Sequence, residues 1–83
     1  QSDQETKVII YPIPSHGRVN VELPSSFGAV DLDLLDMSGK VVLRRAGVTT
    51  RSIELKDLTP GLYALQLYSP EYGVLIKKIV VMK

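Results

Sequence analysis

The stretch that decides the fold is Arg18-Val19-Asn20-Val21-Glu22-Leu23, in which polar and apolar residues alternate without a break. Side chains along a β-strand point alternately to opposite faces, so Val19, Val21 and Leu23 share one apolar face. A helix would place Val21 on the side opposite Val19 and Leu23, so this strict alternation does not give one apolar helical face. It therefore predicts a strand with one face toward a core and the other toward water.

The same two-residue period recurs along the chain. Asp31 and Asp33 are predicted to face solvent from one strand, and Tyr63, Leu65 and Leu67 are predicted to face the core from another. No window shows a convincing 3.6-residue period, so we predict no helix. The predicted strands cover residues 8–11, 18–23, 30–34, 41–45, 52–55, 63–68 and 74–82.

Turn-forming residues separate these strands at intervals of roughly 8–12 residues. In one hairpin the Asp36 carboxylate can accept hydrogen bonds from the N–H groups that follow it, and Gly39 tolerates positive φ. The dipeptide Pro60-Gly61 suits the two central positions of a type II turn. This spacing predicts an all-β, immunoglobulin-like sandwich of about seven antiparallel strands in two sheets. The other predicted breaks are Pro12, Pro14, the loop 24–28 and the hairpin loop 69–73.

Length and composition bound what the chain can do. Its 83 residues make one domain, with no room for a second core. Ten basic and nine acidic residues give a net charge of +1, which argues against a nucleic-acid surface. The absence of cysteine excludes a disulfide framework and Cys–His catalysis. No apolar run approaches the ~18 residues of a membrane span.

The residue types that carry chemistry form no recognisable site. His16, the one histidine, lies in a turn with no nucleophile motif, so we interpret it as a solvated loop residue. The acidic cluster 31–36 offers too few oxygens for the 6–8 ligands that calcium requires. Arg44 and Arg45 are adjacent and point to opposite faces of a strand, which is typical of a solvated edge. We therefore expect no enzyme, no cofactor and no metal.

The closing segment 73–83 combines high β-propensity with apolar residues on both faces. As a free edge it would be an aggregation template, and Lys77, Lys78 and Lys83 are typical of residues that prevent this. A strand at the end of a chain is also easily presented to a partner by edge pairing. Self-association by edge pairing or by strand swapping therefore stays open.

Four short motifs follow one another along residues 8–83. They are Tyr11-Pro12-Ile13-Pro14-Ser15-His16-Gly17-Arg18, Leu35-Asp36-Met37-Ser38-Gly39-Lys40-Val41-Val42, Leu58-Thr59-Pro60-Gly61-Leu62-Tyr63 and Lys77-Lys78-Ile79-Val80-Val81. In this order they resemble the motifs Y-P-N-P-x-x-G, L-x-D-x-x-G-K/R-x-V, L-x-x-G-x-Y and K-K-hydrophobic of the type IX secretion system C-terminal sorting domains, which occur on secreted proteins of the Bacteroidetes. Ile13 departs from the family's Asn, so its side chain cannot cap that turn.

The resemblance implies a non-catalytic sorting signal at 8–83, joined through a linker at 1–7 to an upstream cargo domain. The implied partners are the outer-membrane translocon and a sortase that cuts in or before the linker in processed cargoes. The implied route is through the periplasm to the outer membrane, the cell surface or the medium. By position, translocon recognition falls on Lys77, Lys78, Ile79, Val80, Val81, Met82 and Lys83. The fold-motif residues carried over are Tyr11, Pro12, Pro14, Gly17, Asp36, Gly39, Gly61 and Tyr63.

An alternative function is a generic immunoglobulin-like adhesion or carbohydrate-binding module. Such a module would need an exposed aromatic platform. Tyr68 and Tyr72 are the candidates, because the chain has no tryptophan and Tyr63 is predicted to face the core.

Overall fold

The computed structural model describes residues 7–12 and 16–82, and antiparallel strands make up most of this part of the chain. One turn of 3-10 helix, Ser25–Phe27, lies in the predicted loop 24–28. Within the described residues no helix is long and apolar enough to cross a membrane. The strands are β1 (Ile9–Tyr11), β2 (Val19–Glu22), β3 (Val30–Asp36), β4 (Val41–Val48), β5 (Ser52–Leu55), β6 (Gly61–Ser69) and β7 (Gly73–Val81).

The strands form two sheets, with the orders β1-β2-β5 and β4-β3-β6-β7. Every pairing in the two sheets is antiparallel. In immunoglobulin-like sandwiches the strands also divide this way, and the variable type adds a strand beside the third one, as β4 does here. The predicted all-β sandwich of seven strands in two sheets is confirmed, and the strand order, which the sequence left open, is now fixed.

The core lies between the two sheets and follows the predicted alternation. Val19, Val21 and Leu23 are buried on β2 and just after it. Burying an aliphatic side chain of this size stabilises the fold by about 1.5–3 kcal/mol relative to leaving it in water. The remaining core side chains are Phe27, Val30, Leu32, Leu34, Ile53, Leu55, Tyr63, Leu65, Leu67, Ile79 and Val81.

The turn between β3 and β4 forms as the sequence predicts. Asp36 Oδ1 accepts hydrogen bonds from the backbone N–H groups of Ser38 (2.9 Å) and Lys40 (3.0 Å), and from the Ser38 hydroxyl (2.7 Å). Gly39 adopts φ = +87°. The hydrogen bond from the Ser38 hydroxyl, followed by that from the Lys40 N–H, lowers the pKa of Asp36 because both bonds favour the carboxylate.

The predicted type II turn at Pro60-Gly61 is wrong. Gly61 has positive φ, as expected, but its value of +151° is far from the roughly +80° that a type II turn requires. Gly61 is already the first residue of β6 and pairs with Val81. The Tyr63 hydroxyl donates a hydrogen bond to the Thr59 carbonyl oxygen at 2.6 Å. The Tyr63 side chain therefore helps to shape the segment before β6, and a prediction from the Pro60-Gly61 dipeptide alone does not take it into account.

Candidate functional site

β7 lies at the edge of the four-stranded sheet, with β6 as its neighbour. The β6–β7 register runs without interruption from Gly61 opposite Val81 to Ser69 opposite Gly73. In an antiparallel pair, alternate residues direct their N–H and C=O groups away from the partner strand. The outer side of β7 therefore carries a regular row of backbone donors and acceptors that no other described strand covers.

Burial divides β7 into two parts. Ile79 and Val81 are 0% and 3% exposed and belong to the core, whereas Ile76 is 59% exposed. The end of the strand thus anchors β7 to the sandwich, and its middle faces solvent. Of the predicted recognition residues, Lys77, Lys78 and Met82 are exposed, Val80 is half-buried, Ile79 and Val81 are internal, and Lys83 lies outside the described residues.

The two exposed lysines lie on opposite faces of β7. Lys77 is across from buried Leu65, and therefore on the core-facing side, whereas Lys78 is across from Ala64 on the outer face. Both side chains are exposed. A charged residue on the inner side of an edge strand disfavours the addition of a strand that has no matching charge. Such a strand would remove the charge from water without pairing it, which costs free energy.

The outer face beside Lys78 carries a shallow apolar groove. It runs between β3, β6 and β7, with Ile76 and Lys78 on the β7 side. Asp36 and Tyr63 also line it, so the groove has polar as well as apolar walls. The other apolar side chains that line the groove are Leu35, Met37, Leu62 and Ala64.

The first and third sequence motifs meet in the structure. The carbonyl oxygen of Gly17 accepts a hydrogen bond from the backbone N–H of Leu58 at 3.0 Å, and Gly17 has φ = +101°. The Tyr11 hydroxyl donates to the Glu22 carboxylate at 2.6 Å, and this bond raises the pKa of Tyr11 because the neutral phenol is the donor. Ile13 and Pro14 lie outside the described residues. These contacts join β1, β2 and the segment before β6.

The comparison with protein families decides what this arrangement is. Residues 9–82 match the family model of the secretion system C-terminal sorting domain. This chain belongs to that family. The match spans all seven strands, and the sorting domain is a signal for type IX secretion. A comparison with curated proteins finds no match.

The acidic cluster 31–36 of the sorting domain has structural partners. Asp31 Oδ1 accepts from the Gly47 N–H at 2.9 Å, and Asp33 pairs with Arg44 at 2.8 Å. Among the described residues no group of three or more potential ligands is placed to hold a metal ion. The Asp33–Arg44 pair was missed at the sequence level, because it depends on the β3–β4 register, where these two residues are direct partners.

The remaining sequence candidates are placed as follows. His16 is exposed in a bend. Tyr72 packs its ring on Phe27 with the centroids 5.1 Å apart, and the Tyr68 hydroxyl donates to Gln66 Oε1 at 2.9 Å. Both tyrosines are thus engaged in contacts within the sorting domain, and nothing favours the adhesion or carbohydrate-binding alternative. The family is one of sorting signals and is not known as catalytic.

Proposed function

We propose that the outer-membrane translocon recognises this sorting domain in its folded form at the exposed part of β7 and the residues after it. The observation that carries the proposal is the division of β7 by burial. Ile79 and Val81 are buried in the core, whereas Lys77 and Lys78 stand in solvent on the two faces of the same strand. One segment therefore completes the fold and displays charge at a fixed position.

Each proposed recognition residue then has a specific role. Lys77 and Lys78 contact the translocon directly, Met82 extends this surface beyond the strand, and Lys83 is assigned to recognition from its position in the sequence alone. Half-buried Val80 adds apolar contact on the outer face, whereas Ile79 and Val81 act by holding the lysines in place. The last assignment is supported by the burial of Ile79 and Val81, which pair with Tyr63 and Gly61 of β6.

The fold-motif residues act on shape. Tyr11, Gly17 and Tyr63 join segments that are distant in sequence, through their bonds to Glu22, Leu58 and Thr59. Asp36 and Gly39 form the β3–β4 turn. Gly61 begins β6. We assign Pro12 and Pro14 to the first motif, together with Tyr11 and Gly17. In this proposal none of these residues touches the translocon.

The cargo and its route complete the proposal. Residues 1–7 form the linker to an upstream cargo domain, and residues 8–83 form the sorting domain. The cargo passes through the periplasm and reaches the outer membrane, the cell surface or the medium. In cargoes that are processed, a sortase cuts in or before the linker. Family membership supports this route.

A reporter fusion tests the recognition surface. Residues 1–83 are fused to a periplasmic reporter in a host with type IX secretion, as wild type and as Lys77→Glu/Lys78→Glu. The matched control is Arg51→Glu/Lys56→Glu, which makes the same change in net charge at two other exposed positions. We expect wild type and control to reach the surface and the β7 variant to stay in the periplasm. Equal surface display of the β7 variant would overturn the proposal.

A stability measurement accompanies the export assay. The purified β7 variant should unfold at nearly the wild-type temperature, because both lysines are exposed. A retained variant with an unchanged melting temperature has lost recognition. A retained variant that is unfolded has lost the sandwich, and the milder Lys77→Gln/Lys78→Gln pair then takes its place in the same assay.

A further inference from the structure

The described sheet edges differ in how open they are to an added strand. In the smaller sheet the edge strands β1 and β5 have three and four residues. In the larger sheet β4 has eight residues, but its pairing with β3 is irregular between Val30 and Leu32 and again between Leu34 and Leu35. Short edges and bulged edges both disfavour strand addition. β7, with nine residues in unbroken register, is the edge that stays open.

The chemistry of β4 strengthens this contrast. Near the first irregularity the backbone N–H of Gly47 already donates to Asp31 Oδ1. This bond reaches inward to a side chain of β3 and holds the irregular stretch of β4 in place. The described β7 backbone has no comparable irregularity in its pairing with β6.

The charges on β7 disfavour a second copy of this chain as the added strand. Lys77 is the middle residue of Gly73–Val81, so a fully overlapping antiparallel pair of two β7 strands places Lys77 against Lys77. Like charges directly opposite each other destabilise a strand pair. Lys78 would lie diagonally opposite its own copy on the other face. The same charges favour a strand with carboxylates at these two positions.

We propose that β7 binds its partner by strand addition, and that the partner strand carries two adjacent acidic residues opposite Lys77 and Lys78. This inference rests on the proposed function, because it says how the translocon binds the β7 surface. The acidic residues must be adjacent because Lys77 and Lys78 are consecutive, so the residues across from them are consecutive too, one on each face. On the outer face, apolar side chains on either side of the acidic residue meet Val74, Ile76 and Val80, and continue the apolar surface of the groove.

Peptide binding to the complete 83-residue domain tests the proposal. The probe is a nine-residue peptide of alternating valine and threonine with two adjacent glutamates at its centre. A second peptide has two lysines in place of the glutamates. Each is titrated to millimolar concentration while backbone amide signals are followed by NMR. We expect shifts centred on β7 with the glutamate peptide, and binding by the lysine peptide that is about fivefold to tenfold weaker.

Two further arms separate strand pairing from general charge attraction. Only one edge of an added strand forms hydrogen bonds with β7. N-methylation of the alternate peptide residues on that edge should therefore abolish binding, and N-methylation on the other edge should leave binding intact. The Lys77→Glu/Lys78→Glu domain should prefer the lysine peptide. Equal binding of both peptides, shifts centred on β4, or no binding would overturn the inference.

The outcomes also distinguish this inference from the proposed function. If Lys77→Glu/Lys78→Glu blocks export but no peptide pairs with β7, the lysines are recognised by another contact and strand addition is wrong. If the glutamate peptide pairs with β7 but the variant is exported normally, strand addition is correct for the edge and the export role of the lysines is wrong.

Discussion

Lys77 lies directly across from Leu65, a fully buried residue of β6, and yet Lys77 is exposed. The register places its side chain on the core-facing side of β7, where Leu75 and Ile79 also point. An edge strand makes this arrangement tolerable, because a long lysine side chain can reach water past the rim of the sandwich. The end of β7 is therefore buried in the core, and its middle carries exposed positive charge.

Removing that charge should make the sorting domain associate with itself. In Lys77→Thr/Lys78→Thr the open β7 edge loses the charges that oppose pairing with a second copy, while threonine keeps β-propensity. Sedimentation should show a higher average mass than for wild type at the same concentration. Lys56→Thr is the control, because Lys56 is exposed outside the strands. Identical sedimentation of the double variant and wild type would contradict this role.

The buried end of β7 should carry stability. Ile79→Ala removes a fully buried side chain and should lower the free energy of unfolding by about 2–5 kcal/mol. Ile76→Ala, on the same strand but 59% exposed, should change it by less than about 1 kcal/mol. Urea unfolding of the two variants measures the difference. Similar losses at both positions would show that burial does not divide β7 as described.

A buried hydroxyl should fix the β6–β7 hairpin to the 3-10 turn. Ser69 Oγ donates to the Phe27 carbonyl oxygen at 2.9 Å and accepts from the N–H groups of Glu71 and Tyr72. Ser69→Ala leaves these backbone groups without that partner and should lower the free energy of unfolding by about 1–3 kcal/mol. Ser52→Ala, at an exposed position, should have little effect in the same unfolding experiment. A result near zero for Ser69→Ala would mean that water replaces the hydroxyl.

The β3–β4 turn should make stability depend on pH. The lowered pKa of Asp36 means that its contribution is present above the ordinary value of 3.8 and is lost as the pH falls through the folded-state pKa. Asp36→Asn should therefore melt below wild type at neutral pH. The gap between the two melting temperatures should narrow in acid, where Asp36 is itself protonated. A gap that stays constant between pH 7 and pH 2 would exclude this linkage.

Sequence alternation predicted the strands well, because the side-chain period of a strand is visible without any partner. Each predicted strand is present, and its ends differ from the observed ends by three residues at most. The Asp36 turn was equally predictable, since its hydrogen bonds form within five consecutive residues. The Pro60-Gly61 turn was not, because the Tyr63 side chain helps to shape it.

The sequence predicted where the candidate site lies, but not which of its residues are buried and which are exposed. The segment Gly73–Val81 is apolar on both faces, so alternation does not reveal which apolar residues are buried. Ile79 is internal and Ile76 is exposed because of the register with β6, which sets the face of each side chain, and because of the packing of the two sheets, which covers one face. The open state of the β7 edge likewise depends on strand order, which local sequence does not contain.

The export of a passenger tests the central claim most directly, namely that this chain is a type IX sorting signal. A periplasmic reporter is produced with and without residues 1–83 at its C-terminus in a host with type IX secretion, and the surface and secreted fractions are measured by protease accessibility and in the medium. The account predicts that the reporter leaves the periplasm only when the domain is attached. Equal retention of both reporters in the periplasm would contradict it.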